Sequence, residues 1–208
     1  MKQLFIIGMT GPTGSGKSTV AKIFAENRIP ALSADEIART ITAPGTAAFR
    51  EIAAAFGDEV IAPDGSLNRA RLAEIVYADQ DKNRLLCDIT HPLITIELRK
   101  IIRGLIQQGK HTVLLDAPLL FDSNVHKMCD FCFAVLANRD SRKARIMERD
   151  DLSEEHAENR LSAQRTDEYY LSRSQAAIIN NGDPDELQRQ TLELIQSINL
   201  LRKSEKMN

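Results

Sequence analysis

The sequence predicts a three-layer α/β fold, with a mainly parallel five-stranded sheet carrying a helical region and a small lid. Three observations support this. Short, nearly continuous apolar runs of strand length recur along the chain, as in strands covered on both faces. Stretches with apolar residues three and four apart separate them, as in helices that cross over between parallel strands. A glycine-rich loop joins the first run to the first helical stretch, which is where doubly wound sheets receive ligands.

The elements follow in order. Leu4 to Met9 is the first buried strand, and Lys17 to Asn27 shows one apolar helix face at Val20, Ile23 and Phe24. Ile29 to Leu32 suits a second strand. Pro30 cannot donate to a ladder, so it must open that strand or face an edge. Thr46 to Phe56 reads as a helix stopped by Gly57, Pro63-Asp64-Gly65 as a turn, and Asn68 as the cap of a helix over Arg69 to Tyr77. Helical patterning resumes near Gln80, breaks at His91-Pro92, and continues from Leu93 to Gln108. Thr112 to Leu115, ending in Asp116, and Phe131 to Leu136 are further strands. Arg139 to Arg149 and Ser153 to Arg165 are charged helices. Ala177 to Ile179 is the last strand, Asp185 to Leu201 the last helix, and Arg202 to Asn208 a fraying tail.

Composition narrows the function. At 208 residues, the chain is expected to form one domain over 1–208 with an ample core. Lys and Arg number 27 against 29 Asp and Glu, so no broadly basic surface is available for nucleic acid. Aromatics at 5% and the absence of Trp argue against stacking platforms for single strands. No run nears the ~18 apolar residues of a membrane span. Lys2 and the run after it mimic a leader, but the run passes straight into glycines and reads as structure. Cys87, Cys129 and Cys132 cannot close a disulfide framework and read as thiols of a cytoplasmic protein. Cys129-x-x-Cys132 has metal-site spacing without a second pair, and burial on a strand is the preferred reading. No obligatory protein partner is indicated.

Gly11-Pro12-Thr13-Gly14-Ser15-Gly16-Lys17-Ser18 fits the phosphate-loop pattern in full and in its strand–loop–helix context. Gly14, Ser15 and Gly16 let backbone N–H groups curve around phosphate oxygens. Lys17 reaches the β- and γ-phosphates of ATP, Ser18 ligates Mg²⁺, and Thr19 adds a hydroxyl on the α-phosphate side. The loop alone does not separate kinases from GTPases and ATP-driven machines. A guanine-reading Asn-Lys-x-Asp segment is absent, and the size suits a kinase of small molecules. Asp35, just after the second strand, is a candidate to orient an acceptor hydroxyl and take its proton, or alternatively a helix cap. Asp116, ending the third strand, is a candidate to hold Mg²⁺ or to position the acceptor. Arg39 lies one turn from Asp35. Arg145 and Arg149 share a face of a basic helix that suits charge on transferring phosphates.

These residues, with Ala34-Asp35 and Ile37-Ala38-Arg39, His91-Pro92, Asp116-Ala117-Pro118-Leu119-Leu120-Phe121, Arg160 with Gln164, and Ile179-Asn180-Asn181-Gly182, stand in an order that closely resembles the dephospho-coenzyme A kinase family. The resemblance implies a P-loop kinase similar to nucleoside monophosphate kinases. It would transfer the ATP γ-phosphate to the 3′-hydroxyl of dephospho-CoA, the last step of coenzyme A synthesis. It implies an acceptor region over 35–109 and a lid over 139–173. It also implies acceptor contacts from Asp35, Arg39, His91, Asp116, Leu119, Leu120, Phe121, Arg160 and Gln164, and nucleotide contacts from Arg145, Arg149 and Asn181. The chain departs from the family pattern at Ser33, Asp122, Asn138 and Gln175-Ala176. Another nucleoside or nucleotide kinase, or a nucleotide-dependent binding protein, are the alternative readings.

Overall fold

In the computed structural model, residues 4–205 are described; the reading of Lys2 and the last residues of the tail lie outside them. The strands are β1 (Phe5–Thr10), β2 (Ala31–Ser33), β3 (Thr112–Asp116), β4 (Phe131–Leu136) and β5 (Ala176–Ile179). They form one sheet in the order β2-β3-β1-β4-β5. β1 is central, which explains why all six of its residues are buried. It runs parallel to β3, with Met9 opposite Asp116, and to β4, with Thr10 opposite Ala134. β4 runs parallel to β5. β2 is an edge strand that starts two residues later than Ile29. Pro30 precedes it and contributes only its carbonyl, which accepts from Leu114 N at 2.9 Å.

The chain divides into two compact units, Met1–Leu32 with Lys110–Asn208, and Ser33–Gly109. In the first, α1 (Lys17–Glu26) buries Val20, Ile23 and Phe24. Phe24 stacks on Phe133 at 5.7 Å between ring centroids, within a core shared by Val20, Ile178, Leu187 and Ile198. Each large apolar side chain buried there contributes about 1.5–3 kcal/mol. α6 (Arg139–Asp150), α7 (Glu154–Ser162) and α8 (Asp167–Leu171) follow β4. The expected helix over Ser153 to Arg165 therefore stops three residues early. A new helix begins after Thr166, which occupies its N-cap position. α9 (Pro184–Glu205) runs through most of the segment expected to fray. Arg202 Nη1 donates to Thr112 Oγ1 at 2.7 Å and fastens the end of α9 to the start of β3.

The second unit is helical: α2 (Ala34–Ile41), α3 (Ala47–Phe56), α4 (Arg69–Ala78) and α5 (Gln80–Gln107). Ile52, Phe56, Val60, Leu72 and Val76 form its core, with Ile89 of α5 packed against it. Thr46 caps α3 and Asn68 caps α4 through their side-chain oxygens. Asp64 turns the chain by accepting from Ser66, while Ile61 and Leu67 bridge antiparallel. The expected break at His91-Pro92 does not occur: α5 is one helix of 28 residues with Pro92 inside it. Proline forfeits one ladder bond there, but α2, α3 and α4 all pack against α5 and hold it as one helix.

Pro92 is exposed. Pro92→Ala restores a donor to the Asp88 carbonyl and is expected to stabilise the protein by about 2 kcal/mol: ~3 kcal/mol of helix propensity less up to ~1 kcal/mol of unfolded-state entropy. Urea unfolding measures this. A loss of stability would show that the packing needs the local geometry of the proline.

Candidate active site

The phosphate loop connects β1 to α1 with backbone that only glycine supports at its turning points. Gly14 and Gly16 have φ of 77° and 95°. A Cβ on Gly16 would lie 2.1 Å from Asn180 Nδ2, and one on Gly14 would lie 2.7 Å from the Arg142 carbonyl oxygen. Gly16 is also the N-cap of α1 and offers no side-chain acceptor, and the first turn carries no acidic residue. The helix start thus keeps donors and a positive dipole end for an anion. Ser15 is fully buried, and its carbonyl accepts from Asn180 Nδ2 at 2.8 Å. Lys17 Nζ donates to the Gly11 and Pro12 carbonyls at 2.8 and 3.1 Å. Ser18 and Thr19 are exposed.

The loop is held from behind. Arg142 Nε donates to the Thr13 carbonyl at 3.0 Å, Arg145 Nη1 to the Gly14 carbonyl at 3.1 Å, and the Thr13 N–H donates to Gln164 Oε1 at 3.1 Å. Arg145 also reaches Asn180, through its backbone carbonyl at 3.2 Å and its Oδ1 at 3.1 Å. Arg142 is only 7% exposed. Burial holds its pKa below the ordinary arginine value, and Asp167 and Tyr170 offset part of that effect. Sequence reasoning missed Arg142 and Asn180 as site residues. The available signals were Arg142's place in the same basic helix, three residues before Arg145, and Asn180's place beside Asn181.

The other residues expected in a lid separate. Arg149 and Arg160 both grip Asp150, at 2.7 and 2.6 Å, rather than standing over the loop. The Arg149 hydrogen bond, with the charges of both arginines, lowers the Asp150 pKa to about 2. Arg160 and Gln164 do not share a helix face, because α7 ends at Ser162 and frees Gln164 to turn toward Thr13. Asn181 Oδ1 accepts from the Asn138 N–H at 3.0 Å.

Asp116 ends β3 half-buried. The segment after it leans on β1: Ala117 N donates to the Met9 carbonyl at 3.0 Å, and Thr10 Oγ1 to the Pro118 carbonyl at 3.1 Å. Leu119 is 62% exposed, whereas Leu120 is fully buried and belongs to the core rather than to a ligand surface. Phe121 is half-buried beside Tyr169 and His126.

In the helical unit, Ser33 caps α2 by accepting from Glu36 N at 3.2 Å. Asp35 is therefore not the cap. It sits exposed in the first turn, one helical turn before the exposed Arg39. Arg69, which the sequence reading did not single out, donates to Thr42 Oγ1 at 2.7 Å, and burial and the charge of Arg39 lower its pKa. His91 is half-buried inside α5, and burial lowers its pKa against the raising effect of Asp88.

A family model described as CoaE, dephospho-CoA kinase, matches residues 5–186. The dephospho-CoA kinase of Geobacillus kaustophilus is 36% identical over 197 residues, covering 95% of this chain and 98% of its own. That of Moorella thermoacetica is 42% identical over 181 residues, covering 86% and 85%. Among solved structures, TT1252 from Thermus thermophilus superposes with a TM-score of 0.79 at 29% identity, over 94% of this chain and 98% of its own. Dephospho-CoA kinase from Campylobacter jejuni does so with a TM-score of 0.66 at 25% identity, over 93% and 96%.

Two outcomes are expected from this geometry. Gln164→Ala leaves the Thr13 N–H without its partner and should raise the KM for the nucleotide about five- to tenfold, near 1 kcal/mol, with little change in kcat; an unchanged KM would remove Gln164 from loop support. Asp150 has a folded pKa depressed below its unfolded value, so its stabilisation is present above ~4 and is lost as pH falls toward 2. The stability gap between wild type and Asp150→Asn, at most about 1 kcal/mol for so exposed a cluster, should therefore close between pH 4 and pH 2 in urea titrations.

Proposed function

The chain belongs to the dephospho-CoA kinase family and is a kinase that transfers phosphate to dephospho-CoA; from that premise we propose which nucleotide, which hydroxyl and which side chains carry the reaction. The phosphoryl donor is ATP, the acceptor is the ribose 3′-hydroxyl of dephospho-CoA, and transfer is direct and in line, without a phospho-enzyme. The observation that carries this reading is the loop itself. Arg142 and Arg145 take the carbonyls of Thr13 and Gly14 from behind, while the helix start of α1 keeps its donors for an anion.

Gly14 to Thr19 cradle the donor's phosphates, and Lys17 leaves the Gly11 and Pro12 carbonyls to meet β- and γ-phosphate oxygens, whose charge outcompetes two neutral acceptors. Arg145, already seated at Gly14, and Arg149, after releasing Asp150, stabilise charge on the transferring group. Asn181 borders the nucleotide. Asp35 accepts the proton of the 3′-hydroxyl. Its freedom from capping duty, which Ser33 performs, supports that assignment. Arg39, His91, Leu119, Phe121 and Arg160 contact the acceptor. The 35–109 region receives dephospho-CoA, and the lid over 139–173 closes to exclude water, which would otherwise compete for the phosphoryl group.

A divalent cation fits the residues present. Among the described residues no group of three His, Cys, Asp or Glu side chains could hold a metal ion. Mg²⁺ keeps waters and phosphate oxygens and needs only one or two protein ligands. Ser18, with Asp116 directly or through water, would hold it, and when bound it would neutralise developing charge on the phosphates.

An acceptor screen with ATP and Mg²⁺ tests the reading. CoA is expected in amounts equal to the ADP formed, and phosphorylation of another nucleoside or nucleotide with dephospho-CoA left intact would overturn it. Asp35→Asn should lower kcat by about 10²–10⁴ with ATP affinity kept; unaltered turnover would remove Asp35 from the base role.

A further inference from the structure

A pocket of about 400 Å³ opens beside the segment that follows β3, lined by Phe121, Asp122, His126, Tyr169 and Arg173. Its volume falls within the ~300–1,000 Å³ of small-molecule sites. The walls are aromatic and cationic, the kinds of group that stack on a heteroaromatic ring, and Arg165 also lies over Tyr169, 5.1 Å from its centroid. Phe121 meets Tyr169 edge-on at 6.4 Å and 76°, His126 tilts against Phe121 at 5.4 Å, and the Arg173 guanidinium lies 4.2 Å from the Tyr169 ring centroid. Asp122 supplies a polar edge. Its Oδ1 accepts from Arg165 Nη2 at 3.1 Å and its Oδ2 from the Tyr169 hydroxyl at 2.8 Å. A carboxylate oxygen accepts more than one hydrogen bond, so both retain a lone pair for a ligand N–H. Burial and Asp122 raise the Tyr169 pKa, so the phenol stays a donor.

We propose that this pocket seats the adenine ring of the acceptor, with Asp122 receiving its exocyclic amino group. The inference rests on the 3′-hydroxyl reading above. That hydroxyl and the adenine sit on one ribose, so the acceptor's ring must lie a single sugar away from the transferred phosphoryl group. The donor's own adenine lies a triphosphate and a sugar away. The pocket is coupled to the phosphate loop through consecutive residues: Gln164 holds Thr13, and Arg165 holds Asp122. On the other side, Thr10, the last residue of β1, holds the Pro118 carbonyl four residues before Asp122.

The test compares dephospho-CoA with its 6-oxo analogue, in which hypoxanthine replaces adenine and an acceptor replaces the amino donor. Wild type is expected to prefer the amino compound by about tenfold or more in kcat/KM, the worth of a hydrogen bond to a charged group. In Asp122→Asn, whose amide can donate to the 6-oxo group, the preference should fall to parity or below. The KM for dephospho-CoA should rise about tenfold while that for ATP stays fixed. Phe121→Ala should raise the acceptor KM by a similar factor. Equal use of the two compounds by wild type, or a rise in the KM for ATP instead of the acceptor, overturns the assignment. The wild-type comparison needs no variant to fold. Wild type that converts both compounds equally leaves the reaction standing and removes only the pocket's role, whereas wild type that forms no CoA removes the reaction itself.

Discussion

The peptide groups of Thr13 and Gly14 are committed to Arg142, Arg145 and Gln164, and the nucleotide site takes its shape from that commitment. A loop this rich in glycine is entropically expensive to order, at about 1–2 kcal/mol per residue. Hydrogen bonds from charged donors contribute about 1.5–3 kcal/mol each and offset that cost from outside the loop. With those peptide groups engaged, the uncapped helix start of α1 keeps its N–H donors for an anion. Asn180 completes the support: its Nδ2 takes the Ser15 carbonyl, while its carbonyl and Oδ1 receive Arg145. Arg142 is thus given over to loop geometry, and Arg145 is seated between Gly14 and Asn180, which changes how the positive charge of α6 is to be understood.

Charge elsewhere in α6 and α7 is balanced locally. Asp150 neutralises Arg149 and Arg160, and Glu158 and Glu154 engage Arg139 and Lys143. These pairs are exposed, so they cost little to exchange for phosphate oxygens. Arg142, by contrast, is buried and fixed on the Thr13 carbonyl.

Residues that depart from the family pattern each have local work to do. Ser33 caps α2. Asp122 orders Tyr169 and Arg165. Asn138 caps α6 and takes Asn181 on its backbone N–H. Gln175 exchanges hydrogen bonds with the Cys132 backbone through its own N–H and Oε1, extending the β4–β5 pairing by one residue.

The amino-acid sequence by itself determined the strands, most helices and the phosphate loop. Those features arise from local forces: apolar periodicity, caps such as Asn68 and Ser153, and glycine at positive φ. Its expectations failed where a distant partner outweighs local preference. Pro92 breaks helices locally, yet α5 continues through it because three neighbouring helices pack against it. Arg202 stays helical because Thr112, 90 residues away in sequence, accepts from it. Arg142, Arg145 and Arg149 of α6 look alike in sequence; burial against Thr13, approach to Asn180 and an adjacent Asp150 give them three different partners. Tertiary structure alone decided those assignments, because where a long cationic side chain goes depends on which acceptors the fold brings within about 3 Å, and spacing along the chain carries no information about that.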